Sequence, residues 1–406
     1  MPPEVSISLE PDEERRVGDP SGVTAPTGIR DAAHYMPQLE ALRGVAILLV
    51  FFFHADGLLS PTGYPMIGTW VSPLSAFVHA GHTGVTLFFV LSAFLLSRAF
   101  LVEARGGRPV SRRRFLARRA LRILPLYWIA VIFFSWLDQS DEPMLTKAVP
   151  HMLLLDSFPN ATLRMFPYSD VWWSLSTEAQ FYIALAFCTL LLRTKFGRQT
   201  FLALVLLYLG SYFYMASGAL SPKLWVNLFG RGPAFLIGGG AAWVYERFGL
   251  QIRERCTQWG LARWGGGDIV LIALLFGLGY LLREVVFIGF DAAEWTWHAW
   301  HVMESLLWAS IVLVTLLLPL RLGSLLTNRV TGTVGILSYS MYLFHLPILF
   351  ELIFRGRFAT PEAYQGWTTT SLATVLACLA LALTVSALTY LLIERPLLKR
   401  KAEIAD

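Results

Sequence analysis

Three cysteines in 406 residues, Cys188, Cys256 and Cys378, leave neither a disulfide framework nor a cysteine metal site to be read. Charge is equally scarce. Charged residues make up 15% of the chain against 55% hydrophobic residues, and the mean hydropathy is +0.54, a balance that excludes an ordinary soluble domain. The apolar runs are continuous and lack ten-residue alternation, so a spanning β-barrel is excluded as well. No Walker A loop, no GxGxxG opening a helix and no HExxH occurs, and no long-period internal repeat is visible. The first residues lack the basic start and apolar core of a cleavable signal, which leaves the first apolar run to serve as a signal anchor.

What the chain has in abundance is membrane-length apolar sequence. Ten spans are expected, near 39–59, 83–102, 120–137, 175–192, 200–217, 230–246, 268–289, 303–320, 333–354 and 370–393. The fold class is therefore all-α, a polytopic membrane protein. The sixth span is the weakest because it is Gly-rich and interrupted by Pro233, and Trp295 to His301 reads as an aromatic belt at a water interface. With both termini cytoplasmic, the inside loops carry 22 basic residues and the outside loops 7, so an N-in, C-in arrangement in the cell membrane is expected. The pI of 9.1 is then an orientation signal, and no nucleic-acid partner is implied. Residues 1–36, rich in Pro, Gly and acidic groups, read as a disordered cytoplasmic tail, 37–396 as the membrane domain and 397–406 as a second cytoplasmic tail.

Two ionisable residues lie in the first span, Arg43 and His54. Such groups are costly at membrane depth and mark functional sites facing a protein interior. Eleven residues amount to about three helical turns, so both side chains share one face, roughly 16 Å apart along the axis.

Four local sequences carry a further signal. They are Arg43-Gly44-Val45-Ala46 with His54; Phe88-Phe89-Val90-Leu91-Ser92-Ala93-Phe94-Leu95; Arg119-Ala120-Leu121-Arg122 followed by Pro125; and Trp173-Ser174-Leu175-Ser176-Thr177-Glu178-Ala179-Gln180-Phe181-Tyr182. Weaker echoes are Ser338 to His345 and Glu394-Arg395-Pro396. In order and spacing the set resembles the acyltransferase-3 family of integral membrane acyltransferases, with Ala93 where the family has glycine. The resemblance implies O-acyl transfer from an acyl-coenzyme A donor, acetyl by default, to a sugar hydroxyl on a glycan, a glycolipid or a glycosylated metabolite. Some members carry an extracytoplasmic SGNH-like domain after the last span, and none is expected here.

Within that frame His54, with a reference pKa near neutrality, suits a general base. A core histidine bonded to a neighbouring helix is the plainer alternative. Glu178 is expected to meet His54 and fix its tautomer, with a structural helix–helix hydrogen bond as the competing role. Arg119 and Arg122, spaced i, i+3 at the cytoplasmic mouth, suit a clamp on the coenzyme A phosphates. Arg43 either helps hold the donor or snorkels to the interface, while Arg112, Arg113 and Arg114 read as topological charges. His345 has no assigned role, and structure and function weigh equally for it. Tyr127, Trp128, Trp172, Trp173 and Tyr182 read as belt or packing residues. His79, His82, His298 and His301 fall in well-separated segments without ligand spacing, so no metal is expected. Direct transfer and an acyl-histidine intermediate both remain open. A multispan transporter of a sugar or lipid is the rival class, although it should show repeated halves and paired broken helices.

Overall fold

The chain, described by a computed structural model over residues 36–60, 70–138, 143–158, 168–217, 226–289, 295–356 and 367–403, is helical throughout with no strand among those residues. The expected tail at 1–36 lies outside the described residues except for Met36, and 395–403, across the boundary of the second expected tail, is helical.

The long helices follow the apolar runs. They are α1 Pro37–Leu59, α2 Thr83–Ala104, α3 Arg112–Leu137, the short α4 Met144–Met152, α5 Trp173–Cys188 with a 3₁₀ extension Thr189–Arg193, α6 Lys195–Ser217, α7 Leu228–Gln258, α8 Gly266–Ile288, α9 Trp295–Leu317, α10 Arg329–Leu349 and α11 Thr369–Thr389. Their starts are written in local chemistry. Asn328 and Thr331 form a capping box for α10, Thr368 and Ser371 one for α11, and Asn227 accepts from the Phe229 and Gly230 amides at the head of α7.

Among the described residues nine helices are long and apolar enough to cross a membrane. The sixth expected span is the exception. It forms α7, the longest helix at 31 residues, but the glycines near its start and the charged stretch after Tyr245 keep it below the apolarity of the other nine.

Close backbone contacts hold the centre together. A Cβ on Gly335 would sit 1.9 Å from the Glu40 carbonyl oxygen, and one on Gly44 would sit 2.6 Å from that of Thr331. Glycine is therefore what lets α1 and α10 touch backbone to backbone, as small residues do between membrane helices. Ala93 has a complementary arrangement, because its methyl group packs on Gly238 of α7, where a Cβ would approach it to 2.9 Å.

Residues 295–301 correct an expectation. They are not a water-facing belt but the first two turns of α9, where Trp297 and His298 are each 1% exposed. Tyr212 of α6 and His82, which precedes α2, cover them from either side. Tryptophan and histidine serve a packed polar interior as readily as an interface, and composition does not separate the two.

Both α10 and α11 widen at their ends into π turns, Phe350–Phe354 and Tyr390–Glu394. The second precedes Pro396, which has no N–H to offer the carbonyl four residues back. A locally widened ladder of this kind often carries a functional side chain, and here it carries Glu394 into the core, 7% exposed.

Candidate active site

Arg43 from α1, Arg122 from α3, Glu178 and Tyr182 from α5, and Tyr339 and Tyr342 from α10 line one cavity of about 590 Å³, its open mouth included. Arg43 lies six residues into α1, about 9 Å from the helix start, so the cavity belongs to the side of the bundle from which α1 sets out. Arg119 lies one turn before Arg122 and within electrostatic reach of Arg122, Glu178 and Tyr182.

The two α3 guanidinium groups are unusual in what they lack. Neither Arg119 nor Arg122 makes a hydrogen bond or an ion pair with the described residues, and the buried Arg119 Nε has no acceptor. A buried donor without a partner costs roughly 1–3 kcal/mol, more for a charged group. Phosphate oxygens are the natural partners for such donors. Arg43 is differently placed, with its Nη1 3.7 Å from Glu40.

Arg112 departs from the topological reading of the Arg112–Arg114 run. Its Nη2 lies 2.7 Å from Glu103, its Nε–H donates to the Ala186 carbonyl, and Glu103 is shared with Arg193. It ties α3 to α2 and α5, whereas Arg113 and Arg114 are exposed.

Glu178 does not meet His54. The Ser92 hydroxyl donates to Glu178, and the Tyr182 hydroxyl faces the same carboxylate. Tyr182 lines the arginine cavity. Glu178 lines the cavity with Arg43 and Arg122, whereas His54, about three turns beyond Arg43 along α1, is not among the lining residues.

His54 instead pairs with His345 across α1 and α10. Their rings are 5.1 Å apart, and His345 Nε2 lies 3.3 Å from His54 Nδ1. The tautomers follow from the rest of the network. His345 Nδ1 lies 2.9 Å from the Tyr342 carbonyl and 3.0 Å from the Met341 carbonyl, so it carries the proton and leaves Nε2 as an acceptor. His54 Nδ1, which faces that acceptor and the Val50 carbonyl at 2.8 Å, must then be the protonated nitrogen. The lone pair falls to His54 Nε2, which has no hydrogen-bond partner among the described residues. Two backbone carbonyls thus choose, through His345, which nitrogen of His54 is basic.

Tyr342 connects the two regions. It lines the cavity, its ring lies 5.8 Å from that of His345, and its hydroxyl is held by Ser174 and the Val171 carbonyl. On the other side, the carboxylate acting on His54 is that of exposed Asp170. Nearby, burial and a hydrogen bond to Glu351 push the Tyr168 hydroxyl up to about 12.

Beyond His54 lies a buried charge network that the sequence reading did not identify. Arg231 Nη1 is 3.1 Å from His301 Nε2, and His301 Nδ1 donates to Glu304 at 2.9 Å. The His82 ring lies 6.4 Å from that of His301 and 5.3 Å from that of Phe53. These histidines are therefore neighbours, not members of separate loops as the sequence spacing suggested. One guanidinium and one carboxylate balance within the bundle, as buried membrane charges must. No group of three metal-ligand side chains comes together among the described residues. The signal was available, since Arg231 is an ionisable group inside an expected span and Glu304 follows His301 by one helical turn.

The chain is 25% identical over 370 residues to a protein of Komagataeibacter xylinus provisionally named a membrane-bound transacylase, covering 88% of this chain and 81% of that protein. It is 25% identical over 316 residues to a provisionally named acetyltransferase of Acidianus two-tailed virus, covering 77% and 83%. A provisionally named O-acetyltransferase of Staphylococcus aureus is 23% identical over 338 residues, 78% of this chain but 51% of that relative, so the chain spans about half of its length. No solved structure matches. The acyltransferase-3 family model, described as an acyltransferase domain, matches residues 36–391, and the chain belongs to that family of membrane acyltransferases.

Proposed function

We propose that this protein transfers an acetyl group from acetyl-coenzyme A to a hydroxyl of a sugar on a glycan, glycolipid or glycosylated metabolite at the cell membrane. The observation that carries the reading is the alignment of unpartnered Arg119 and Arg122 at one end with a tautomer-fixed His54 at the other. Coenzyme A is charged and does not cross about 30 Å of hydrocarbon, but only its acyl end need travel. The arginines hold the phosphates while the pantetheine arm passes Tyr342 toward His54.

At the reacting centre His54 Nε2 accepts the proton of the acceptor hydroxyl as its oxygen attacks the thioester carbonyl. The carbon–sulfur bond breaks, and the coenzyme A thiolate takes the proton back from the imidazolium. His345 Nε2 accepts from His54 Nδ1–H throughout, which supports the imidazolium as it forms. The route through an acyl-His54 intermediate uses the same nitrogen as nucleophile.

Transfer of radiolabelled acetyl from acetyl-coenzyme A to an extractable membrane acceptor, in vesicles holding the purified protein, tests the reading. His54→Ala should abolish transfer at unchanged membrane abundance. Normal turnover in that variant would remove the proposed base.

A further inference from the structure

A second, larger hollow lies between α2, α5, α6 and α7. Its volume is about 1550 Å³, its open side included, and Leu101, Phe181, Leu192, Leu204, Phe235 and Trp243 give it an apolar wall. Its lining on α7 runs from Leu228 to Trp243, fifteen residues or about 22 Å along the helix axis. The hollow is thus long and parallel to the helices.

Two features keep it open. Gly239 and Gly240 line it from α7, and a Cβ on Gly240 would meet nothing within 4 Å. Opposite, α6 stands off the bundle, with most of its apolar stretch unburied. The polar side chains in the wall are largely spent on backbone, since Tyr208 donates to the Phe229 carbonyl at 2.7 Å and Thr189 to that of Leu185 at 2.6 Å. Such a wall recognises hydrocarbon and offers little to a headgroup.

The hollow also adjoins the arginine cavity. Phe181 and Phe235 stack at 4.2 Å, Phe235 and Phe89 lie at 4.6 Å, and Phe89 lines the arginine cavity while the other two line the hollow. A single layer of rings separates the two spaces.

We propose that this hollow is a binding groove for the hydrocarbon tail of a lipid-anchored acceptor, which it holds against the aromatic layer that walls the arginine cavity. The inference rests on the acetyl-transfer reading, because a two-carbon acyl group has no use for a groove about 22 Å long. A chain lying along the helix axes also keeps the direction it has in a bilayer, so little reorganisation is needed for the acceptor to enter from the membrane.

The test is photolabelling of the full chain in vesicles of phosphatidylethanolamine and phosphatidylglycerol. The probe is hexadecyl β-glucoside with a diazirine at the end of its chain, and labelled peptides are mapped by mass spectrometry. The groove residues Leu204, Phe235 and Trp243 should be labelled, and excess unlabelled hexadecyl β-glucoside should remove that label. Gly240→Leu fills open space on a helix that tolerates leucine better than glycine. It should cut groove labelling roughly tenfold, the loss of about two buried methylenes, and leave labelling of outward-facing Leu206 and Leu207 unchanged as the control for folding. Leu204→Trp provides a second filling variant with the same expectation.

Unchanged groove labelling in both variants would overturn the proposal. So would equal competition by phosphatidylglycerol, which would make the occupant ordinary bilayer lipid, or stronger competition by palmitoyl-coenzyme A, which would give the groove to a donor chain. Labelling needs no turnover, so failure of acetyl transfer would count against the enzymatic reading and leave the groove result standing.

Discussion

His345→Ala separates a catalytic pair of histidines from a merely packed one. His345 is fully buried and contributes the acceptor 3.3 Å from His54 Nδ1. Its loss leaves His54 with the Val50 carbonyl of its own helix as the only backbone restraint, at 2.8 Å, and nothing across the helix pair to support an imidazolium. General-base catalysis is worth roughly 10²–10⁴-fold. Losing the group that orients the base should forfeit about 10²-fold of that in kcat, equivalent to about 2.7 kcal/mol. The KM for acetyl-coenzyme A should hardly move, because the arginines proposed to bind it lie beyond Tyr342. His345→Gln supplies the controlling comparison. Its carboxamide oxygen reaches the position of Nε2 and accepts from His54 Nδ1–H, so it should recover most of kcat. The assay is initial-rate acetyl transfer in vesicles, normalised to folded protein by gel filtration. If His345→Ala kept more than half of kcat, or His345→Gln were no better than alanine, the tautomer argument would fail.

Arg119→Ala combined with Arg122→Ala should raise KM for acetyl-coenzyme A by one to two orders of magnitude, the loss of roughly 1.5–3 kcal/mol in charged hydrogen bonds; if only the acceptor constant moved, the phosphate clamp would be misplaced. Glu178→Gln should alter donor affinity or folded yield more than kcat, because its contacts are in the arginine cavity; a selective kcat loss matching that of His54→Ala would restore it to the reacting centre. Gly335→Ala forces a methyl group to 1.9 Å from the Glu40 carbonyl oxygen and should lower membrane abundance and thermal stability sharply, whereas normal melting would mean that α1 and α10 are free to separate. Cysteines at Ser60 and Ser111 in a cysteine-free background should label from opposite sides, Ser60 in intact cells and Ser111 only after lysis; labelling of Ser111 in intact cells would put the arginine cavity on the side without coenzyme A.

Helix positions were legible because each long helix buries or exposes a continuous apolar run that nothing else explains. The end of α7 was not, since after Tyr245 the helix continues through Arg247, Arg253 and Arg255, a polar stretch indistinguishable in sequence from a loop. Arg122, expected at the cytoplasmic mouth, and Arg43, left between donor holding and the interface, line one cavity. The partner of His54 was not legible. His345 is 291 residues away, and a histidine in the middle of an apolar run announces a site without naming its counterpart. Helix register errs by a turn when a loop of unknown path precedes it. The contact of Glu178 with Ser92 likewise joins segments 86 residues apart, which span periodicity does not pair. The resemblance to the acyltransferase-3 family drew attention to Glu178 but carried no information on which of its neighbours it faces.

The separation of Glu178 from His54 has a chemical logic. A cavity proposed to hold several phosphate charges would still need carboxylates to keep α3 from repelling itself when the donor is absent, and Glu178 and Glu394 both act there on the arginine groups. A carboxylate touching His54 would instead favour its protonated form before the acceptor arrived. Pairing the base with a neutral imidazole avoids that. In the proposed mechanism His345 orients the ring with an uncharged acceptor, and His54 stays a free base until it takes the acceptor's proton. Asp170, exposed beyond the pair, gives the imidazolium a distant negative charge without quenching the base. On that proposal, charge for binding and neutrality for proton transfer occupy different levels of the same bundle, with Tyr342 between them.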